Sequence, residues 1–253
     1  MKKSAISSLI LAASVVATPV SADTLLGVYV GAQAWNMGTE GGFSNDVNLT
    51  EFNFDDETKS SFYVALEHPI PLVPNIKIRR TAMDTGGNVS LDSTFTFNDQ
   101  IFNVNTNLNT EVDISNTDFI LYYELFDNDL VSFDFGVNGK YIDGEIYVED
   151  AAEATNFARE AFSGVVPMAY SRLYVGLPFT GLGFYAEGSY LAIDDHTLSD
   201  YEIALAYEFV DNLAVDMTFQ LGYRATNLEL DDLDDIYSDL EFSGVFAGLE
   251  LHF

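Results

Sequence analysis

Apolar and polar residues alternate with a period of two along most of this chain. At the C-terminus every second residue from Val245 to Phe253 is apolar, and Gly248, Glu250 and His252 lie between them. This pattern is typical of a β-strand with one apolar and one polar face. Ten such segments occur, most of them at least as long as the roughly 9–11 residues that a tilted strand needs to cross a bilayer. They are 25–37, 59–68, 75–83, 118–126, 131–142, 164–177, 183–193, 200–209, 214–228 and 239–253.

The connections between these segments alternate in length. The short ones are 68–74, 127–130, 178–182 and 210–213, and the others are 38–57, 84–117, 143–163, 194–199 and 229–238. Outer-membrane barrels have short periplasmic turns at one end and longer extracellular loops at the other. The prediction is therefore an all-β, antiparallel, up-and-down transmembrane barrel of about ten strands, with eight or twelve as alternatives and with long acidic extracellular loops. The rival fold is a soluble, lipocalin-like barrel with a ligand cavity.

Two connections carry patterns of their own. In the longest, Asn98 and Asp99 stand between Phe95 and Phe97 on one side and Phe102 on the other, which predicts a hairpin that continues the barrel wall above the membrane. The alternative for this segment is a mobile loop. Residues 151–162 are predicted to form a short surface helix or, failing that, an irregular loop.

Residues 1–22 have the pattern of a cleaved signal peptide. Lys2 and Lys3 precede an apolar run over 6–16, and small residues close the segment at Ala22. The run is too short, and too often broken by serine, for a transmembrane anchor. The predicted organisation is a signal peptide at 1–22 and a single barrel domain at 23–253. The chain has no cysteine, so disulfides and thiol chemistry are excluded.

The charge of the chain is strongly negative, with 40 acidic against 10 basic residues. A nucleic-acid partner is excluded because phosphate would be repelled over most of the surface. The windows 38–57, 84–118, 143–163, 194–202 and 229–241 contain 29 of the 40 carboxylates, and Arg159 is the only Lys or Arg among them. We expect a negative outer rim that engages divalent cations and lipopolysaccharide.

The densest acidic run is 229–235. Its oxygen ligands are of the type that Ca²⁺ and Mg²⁺ prefer, but the run lacks the spacing of an EF-hand. The alternative is a solvated acidic loop, and no other cofactor is expected. The metal-ligand candidates are Asp231, Asp232, Asp234 and Asp235.

The polar faces of the predicted strands carry charges of both signs. A narrow barrel fills its interior with side chains, and opposite charges pair there to limit the cost of desolvation. The predicted interior is a salt-bridged plug, and its alternative is a selective pathway lined by the same charges. The predicted lumen residues are Glu67, Lys77, Arg79, Glu124, Asp134, Lys140, Arg172, Glu187, Glu202, Glu208, Asp216, Arg224 and Glu250.

Catalytic candidates are confined to one outer turn. Asp194 and Asp195 precede His196, and a histidine beside carboxylates can activate water or a nearby hydroxyl such as that of Ser199. No partner motif can be placed on a neighbouring strand, so an enzyme is not expected.

The signal peptide, the repeated aromatic alternation and the closing run 245–253 resemble bacterial outer-membrane β-barrel proteins. The segments 117–124 (TDFILYYE) and 133–136 (FDFG) are similar to a poorly characterised family of small outer-membrane barrels from γ-proteobacteria. The resemblance implies a monomer in the outer membrane that periplasmic chaperones and the barrel assembly machinery handle during biogenesis. It also implies an assembly signal at Leu249, Leu251 and Phe253, and no catalytic residue.

Three functions follow as hypotheses. The first is a structural or surface-interaction role in which the acidic loops bind divalent cations and lipopolysaccharide. The second is a narrow cation-preferring pore or small-solute channel, and the third is a lipid- or peptide-modifying enzyme around His196.

Overall fold

A computed structural model describes residues 26–128, 130–212, 214–233 and 236–253. The predicted signal peptide lies outside these ranges. The regular secondary structure of the described residues is entirely β, and none of them belongs to a helix long and apolar enough to cross a membrane.

The described residues form sixteen strands. In chain order these are β1 Gly27–Ser44, β2 Thr50–Glu51, β3 Asn53–Phe54, β4 Glu57–Glu67, β5 Asn75–Thr81, β6 Asp84–Ser90, β7 Phe95–Phe97, β8 Gln100–Phe102, β9 Asn107–Asp113, β10 Asn116–Asp127, β11 Val131–Asp150, β12 Glu153–Leu177, β13 Leu182–Ile193, β14 His196–Val210, β15 Asp216–Leu233 and β16 Ile236–His252.

Ten of these strands close into a barrel. The antiparallel order β1-β4-β5-β10-β11-β12-β13-β14-β15-β16 returns to β1, where Ala32 lies opposite Leu249 and Gly31 opposite Glu250. The seam continues to Phe253, whose amide donates to the Val28 carbonyl at 3.0 Å. The predicted fold class and strand number are confirmed. We call the end of the barrel where Gly27 and His252 lie the terminal end, and the opposite end the distal end.

The outer surface of the barrel is an apolar belt. Outward side chains on different strands, such as Val64 on β4 and Val137 on β11, are more than half exposed, at 51% and 59%. Inward neighbours such as Tyr63 and Asn138 are buried. Charges inside and apolar residues outside are the reverse of a soluble barrel with a ligand cavity, and they suit a wall that lipid surrounds.

The wall extends further than predicted at the distal end. Residues 143–163, expected as a loop, belong mostly to β11 and β12, which pair without interruption from Val131↔Val175 to Glu149↔Phe157. The predicted helix at 151–162 is wrong, because β12 begins at Glu153. Ala158 points inward there while Phe157 and Arg159 point outward. The helix propensity of Ala and Glu is overridden by the ladder to β11.

On the distal side of β4, β5 and β10, shorter strands continue the wall. β2 pairs with the distal part of β1, β3 with β6, β6 with β9, and β9 with β11. The hairpin predicted around Asn98 and Asp99 is present as β7 and β8, and both turn residues have positive φ, 45° and 61°. Its predicted place in the wall is wrong: β7 and β8 form a separate sheet whose phenylalanines are buried in the barrel mouth. Burying the apolar face of the hairpin in the mouth stabilises the fold more than an exposed position in the wall would, because it removes more apolar surface from water.

Candidate functional site

The lumen is filled in layers, and the most distal layer is apolar. We call it the apolar cap. Phe97 lies with its ring centroid 5.1 Å from that of Phe43, and Phe43 stacks on Phe52 at 4.8 Å. The buried members of the cap are Trp35, Met37, Phe43, Phe52, Met83, Leu91, Phe95, Phe97, Phe102, Leu108, Val112, Ile114, Ile146, Val148, Ala158, Leu240 and Phe242.

Below the cap lies a layer of ionised side chains, which we call the ion-pair layer. It contains four basic and four acidic residues, each with its side chain at least nine-tenths buried. They are Lys77, Arg79, Lys140 and Arg224 with Asp118, Glu187, Asp200 and Glu202. Opposite charges in equal number limit the penalty of burying them.

Asp200 lies at the centre of this layer. It accepts hydrogen bonds from Nε and Nη2 of Arg224 at 3.0 and 2.8 Å, and from Nζ of Lys140 at 2.9 Å. Arg79 reaches the same carboxylate at 3.4 Å and also donates to Asp118 at 3.1 Å. Asp118 is held in turn by Lys140 at 2.8 Å. Five strands, β5, β10, β11, β14 and β15, are therefore tied together across the lumen.

The other half of the layer joins further strands. Lys77 on β5 donates to both carboxylate oxygens of Glu187 on β13 at 2.8 Å. Glu202 accepts from the Tyr185 hydroxyl at 2.8 Å and from the Gln33 amide at 3.2 Å. The layer meets the cap where the Arg224 guanidinium lies 5.1 Å from the Trp35 ring, a cation–π distance.

On the terminal side of the ion-pair layer lies a cavity of about 300 Å³, which we call the terminal cavity. Lys77, Glu187 and Glu202 form its floor. Its wall carries the carboxylates Glu67, Glu124, Asp127, Asp134, Glu208, Asp216 and Glu250, the basic residue Arg172, and His252. Tyr29, Tyr63, Tyr122, Tyr170, Tyr174 and Tyr185 complete the wall.

Some of these wall groups are already engaged. The Tyr122 hydroxyl donates to Glu67 at 2.7 Å and the Tyr63 hydroxyl donates to Glu250 at 2.6 Å. The His252 ring stacks on that of Tyr29, with centroids 4.2 Å apart. These bonds hold carboxylates against the wall and leave a space between them.

The structure places the predicted lumen residues in the two inner layers. Lys77, Arg79, Lys140, Glu187, Glu202 and Arg224 belong to the ion-pair layer, while Glu67, Glu124, Asp134, Arg172, Glu208, Asp216 and Glu250 line the terminal cavity. Asp118 and Asp200 were predicted in the acidic rim, and this is wrong, because both point into the lumen. The signal that could have found them is the alternation itself, since each lies two residues before an inward side chain, Ile120 or Glu202.

Among the contacts of the described residues, His196 and Ser199 bond to other partners and not to each other. Asp194 and Asp195 form the exposed turn between β13 and β14, and Asp194 has a positive φ of 52°. Nδ1 of His196 accepts the backbone N–H of Asp231 at 3.2 Å, so the ring ties two distal strand ends together. The Ser199 hydroxyl accepts instead from the Asn227 amide at 3.3 Å.

Of the metal-ligand candidates, Asp231 is exposed at the distal end of β15 and Asp232 belongs to the same strand. Asp234 and Asp235 lie outside the described residues. In the part of the chain that the structure describes, no three His, Asp or Glu residues are grouped as metal ligands.

The distal exterior is nevertheless acidic, and we call its exposed carboxylates the acidic rim. Glu40 lies directly opposite Glu241, and Glu229 opposite Asp239. Further along, the Tyr147 hydroxyl donates to Glu149, and this bond raises the pKa of the phenol. The rim consists of Glu40, Asp46, Glu51, Asp55, Asp56, Asp84, Asp92, Asp99, Glu111, Asp143, Glu153, Asp194, Asp195, Glu229, Asp231, Asp239 and Glu241.

The residues predicted as an assembly signal lie on the last strand. Leu249 and Phe253 are exposed on the barrel exterior, and Leu251 is partly exposed and pairs with Val30.

Comparisons with known proteins return solved structures but no family. No family model matches the chain, and no curated protein matches it. It is similar to a chain described as the CymD monoaromatic hydrocarbon channel, at 10% identity and a TM-score of 0.33 over 90% of this chain and 87% of the other. It is also similar to a FadL homologue from Pseudomonas aeruginosa, at 9% identity and a TM-score of 0.35 over 90% of each chain.

Proposed function

We propose that this chain is an outer-membrane β-barrel with a closed lumen, which serves a structural and surface-interaction role. The observation that carries the proposal is the filling of the lumen by two successive layers. A solute passing along the axis would have to break the ion pairs around Asp200 and then displace the phenylalanines around Phe43. A barrel filled in this way holds strands together and conducts nothing while both layers are in place.

In this proposal the terminal end faces the periplasm and the distal end faces the cell exterior. The apolar belt meets lipid, and biogenesis proceeds through periplasmic chaperones and the barrel assembly machinery. The resemblance of segments 117–124 and 133–136 to small γ-proteobacterial barrels supports this placement.

The acidic rim would supply the surface interaction. Like charges directly opposite on paired strands, as in Glu40 and Glu241, are destabilising unless a cation lies between or beside them. Divalent cations would relieve this repulsion and bridge the carboxylates to lipopolysaccharide phosphates. The cation and the lipid would thus stabilise the distal part of the barrel wall.

Electrical recording tests the closed lumen. Purified protein inserted into planar bilayers is expected to show no stepwise conductance at neutral pH, and vesicles containing it should not swell in small sugars. Reproducible single-channel steps from the wild-type protein would overturn the closed-lumen proposal.

Protease protection tests the rim. In vesicles containing lipopolysaccharide, the distal turns should be cleaved more slowly with Mg²⁺ than with a chelator. The double variant Glu40→Gln with Glu241→Gln should reduce this difference, and Asp211→Asn in an exposed turn at the terminal end is the matched control. A cleavage rate that is the same with Mg²⁺ and with the chelator would contradict the rim interaction.

A second candidate function is a narrow, cation-preferring or small-solute channel, and the attachment of the β7–β8 hairpin favours it. The hairpin pairs with no wall strand and is held by packing and by a few bonds, such as the Asn45 amide to the Thr96 carbonyl at 3.2 Å. Such a segment can leave the mouth without breaking a barrel ladder. Conductance that appears only when Phe95, Phe97 and Phe102 are replaced together by serine would favour this function. For the third hypothesis, an enzyme around His196, the described contacts offer no support.

A further inference from the structure

We propose that the terminal cavity binds a small organic polycation, of the class of aliphatic diamines and polyamines. The first support is its net charge. Above the floor, the wall holds seven carboxylates and one guanidinium, that of Arg172, together with His252. Arg172 is shared, at 3.8 Å from Asp134 and 3.6 Å from Glu187. The cavity is therefore more negative than its own cations can balance.

Asp134 supplies an observation that is independent of the charge count. Its side chain is 4% exposed, and its Oδ1 is buried without a hydrogen-bond partner. Its Oδ2 is 3.8 Å from Arg172, beyond hydrogen-bond distance, and Glu124 lies directly opposite it on β10. A buried carboxylate oxygen left in this state costs free energy, which a donor arriving in the cavity would recover.

The tyrosines decide which kind of cation fits. Lys77 Nζ lies 4.5 Å from the Tyr63 ring centroid, and the Arg172 guanidinium lies 5.4 Å from that of Tyr185. The cavity thus already uses ring faces to hold nitrogen cations, in the geometry of cation–π contacts. A bare metal ion would need clustered oxygen ligands, and the described residues contain no such cluster.

The spread of the carboxylates sets the form of the ligand. Glu67 and Glu250 are each held by a tyrosine hydroxyl on different strands, and Asp134 lies on a third strand. One ammonium group donates at most three hydrogen bonds, fewer than the seven wall carboxylates can accept, whereas an aliphatic chain with two or three ammonium groups presents donors at separate points along its length. A volume of about 300 Å³ accommodates such a chain.

Calorimetric titration of the purified full-length barrel in detergent tests this. At low salt, 1,4-diaminobutane and spermidine should bind, and 1,4-butanediol, which has the same length without charge, should not. Asp134→Asn should weaken diamine binding about tenfold, as expected for a lost charge-assisted hydrogen bond. Glu160→Gln, a partly exposed carboxylate on β12 that belongs neither to the cavity nor to the acidic rim, is the matched control and should bind as the wild type does.

Several outcomes would overturn the site. These are equal heats from the diamine and the diol, unchanged affinity in Asp134→Asn, or Mg²⁺ binding in the cavity as tightly as the diamine. If Asp134→Asn does not fold, as judged by loss of the heat-dependent gel shift, Glu124→Gln decides by the same criteria. The site lies at the opposite end from the acidic rim, so its failure would leave the rim proposal standing, and the converse also holds.

Discussion

The ion-pair layer and the terminal cavity are both built from side chains that point inward from the barrel strands. They differ in charge balance. In the layer, four acidic and four basic side chains meet at hydrogen-bond distances, with Asp200 held by Arg224, Lys140 and Arg79. In the cavity, seven carboxylates face Arg172 and His252. A short distance along the barrel axis therefore separates a balanced interior from an unbalanced one.

The difference shows what each region is suited to do. Balanced, fully bonded charges fix side chains and hold strands in register, so the layer serves closure and stability. Unbalanced carboxylates that retain an unpartnered oxygen, as at Asp134, destabilise the empty barrel and favour a cation. Substitutions should therefore have opposite consequences in the two regions.

The largest effect is expected from removing the centre of the layer. Asp200→Ala leaves Arg224, Lys140 and Arg79 buried without their shared acceptor, and should lower the free energy of unfolding by about 3–5 kcal/mol. Glu124→Gln in the cavity removes a charge facing Asp134, and should leave stability unchanged or slightly higher. Denaturant unfolding followed by the fluorescence of Trp35, the only tryptophan, measures both. An equal loss of unfolding free energy in the two variants would contradict the difference between the two regions.

The sequence predicted which face of each strand points inward far better than it predicted where the strands end. The apolar outer face fades where lipid ends, while the ladder continues with polar residues outside, as at the exposed Arg159, which lies opposite Tyr147. Asp118 and Asp200 were therefore counted with the acidic rim, although each begins a predicted segment and belongs to β10 or β14. Pairing across the lumen, such as Lys77 with Glu187 on strands far apart in the chain, depends on barrel closure and register. Alternation along a single strand carries no information on either.

The next largest effect is expected within the β7–β8 hairpin, between a residue buried in the apolar cap and one exposed on the opposite face of the hairpin. Phe97→Ala removes a ring that is fully buried against Phe43, and should cost about 3–5 kcal/mol of stability through the cavity it leaves. Ile101→Ala, on the same hairpin but 57% exposed, should change stability by less than about 0.5 kcal/mol. The same unfolding measurement checks both variants. If Phe97→Ala were as mild as Ile101→Ala, the cap would not be a packed layer.

The smallest effect tests the border between the two regions. The Tyr63 hydroxyl donates to Glu250 in the cavity at 2.6 Å and accepts from the Gln220 amide at 3.2 Å. Tyr63→Phe removes both bonds but keeps the ring beside Lys77, so stability should fall by about 1–2 kcal/mol. The control is Tyr123→Phe, whose exposed hydroxyl donates to the Leu72 carbonyl at 3.0 Å and should cost less than about 0.5 kcal/mol. Because the Glu250 carboxylate, freed from the hydroxyl, can accept a hydrogen bond from an ammonium group, Tyr63→Phe should also bind 1,4-diaminobutane at least as tightly as the wild type. Weaker diamine binding together with the expected stability loss would show that the hydroxyl itself, and not the charge imbalance, determines what the cavity holds.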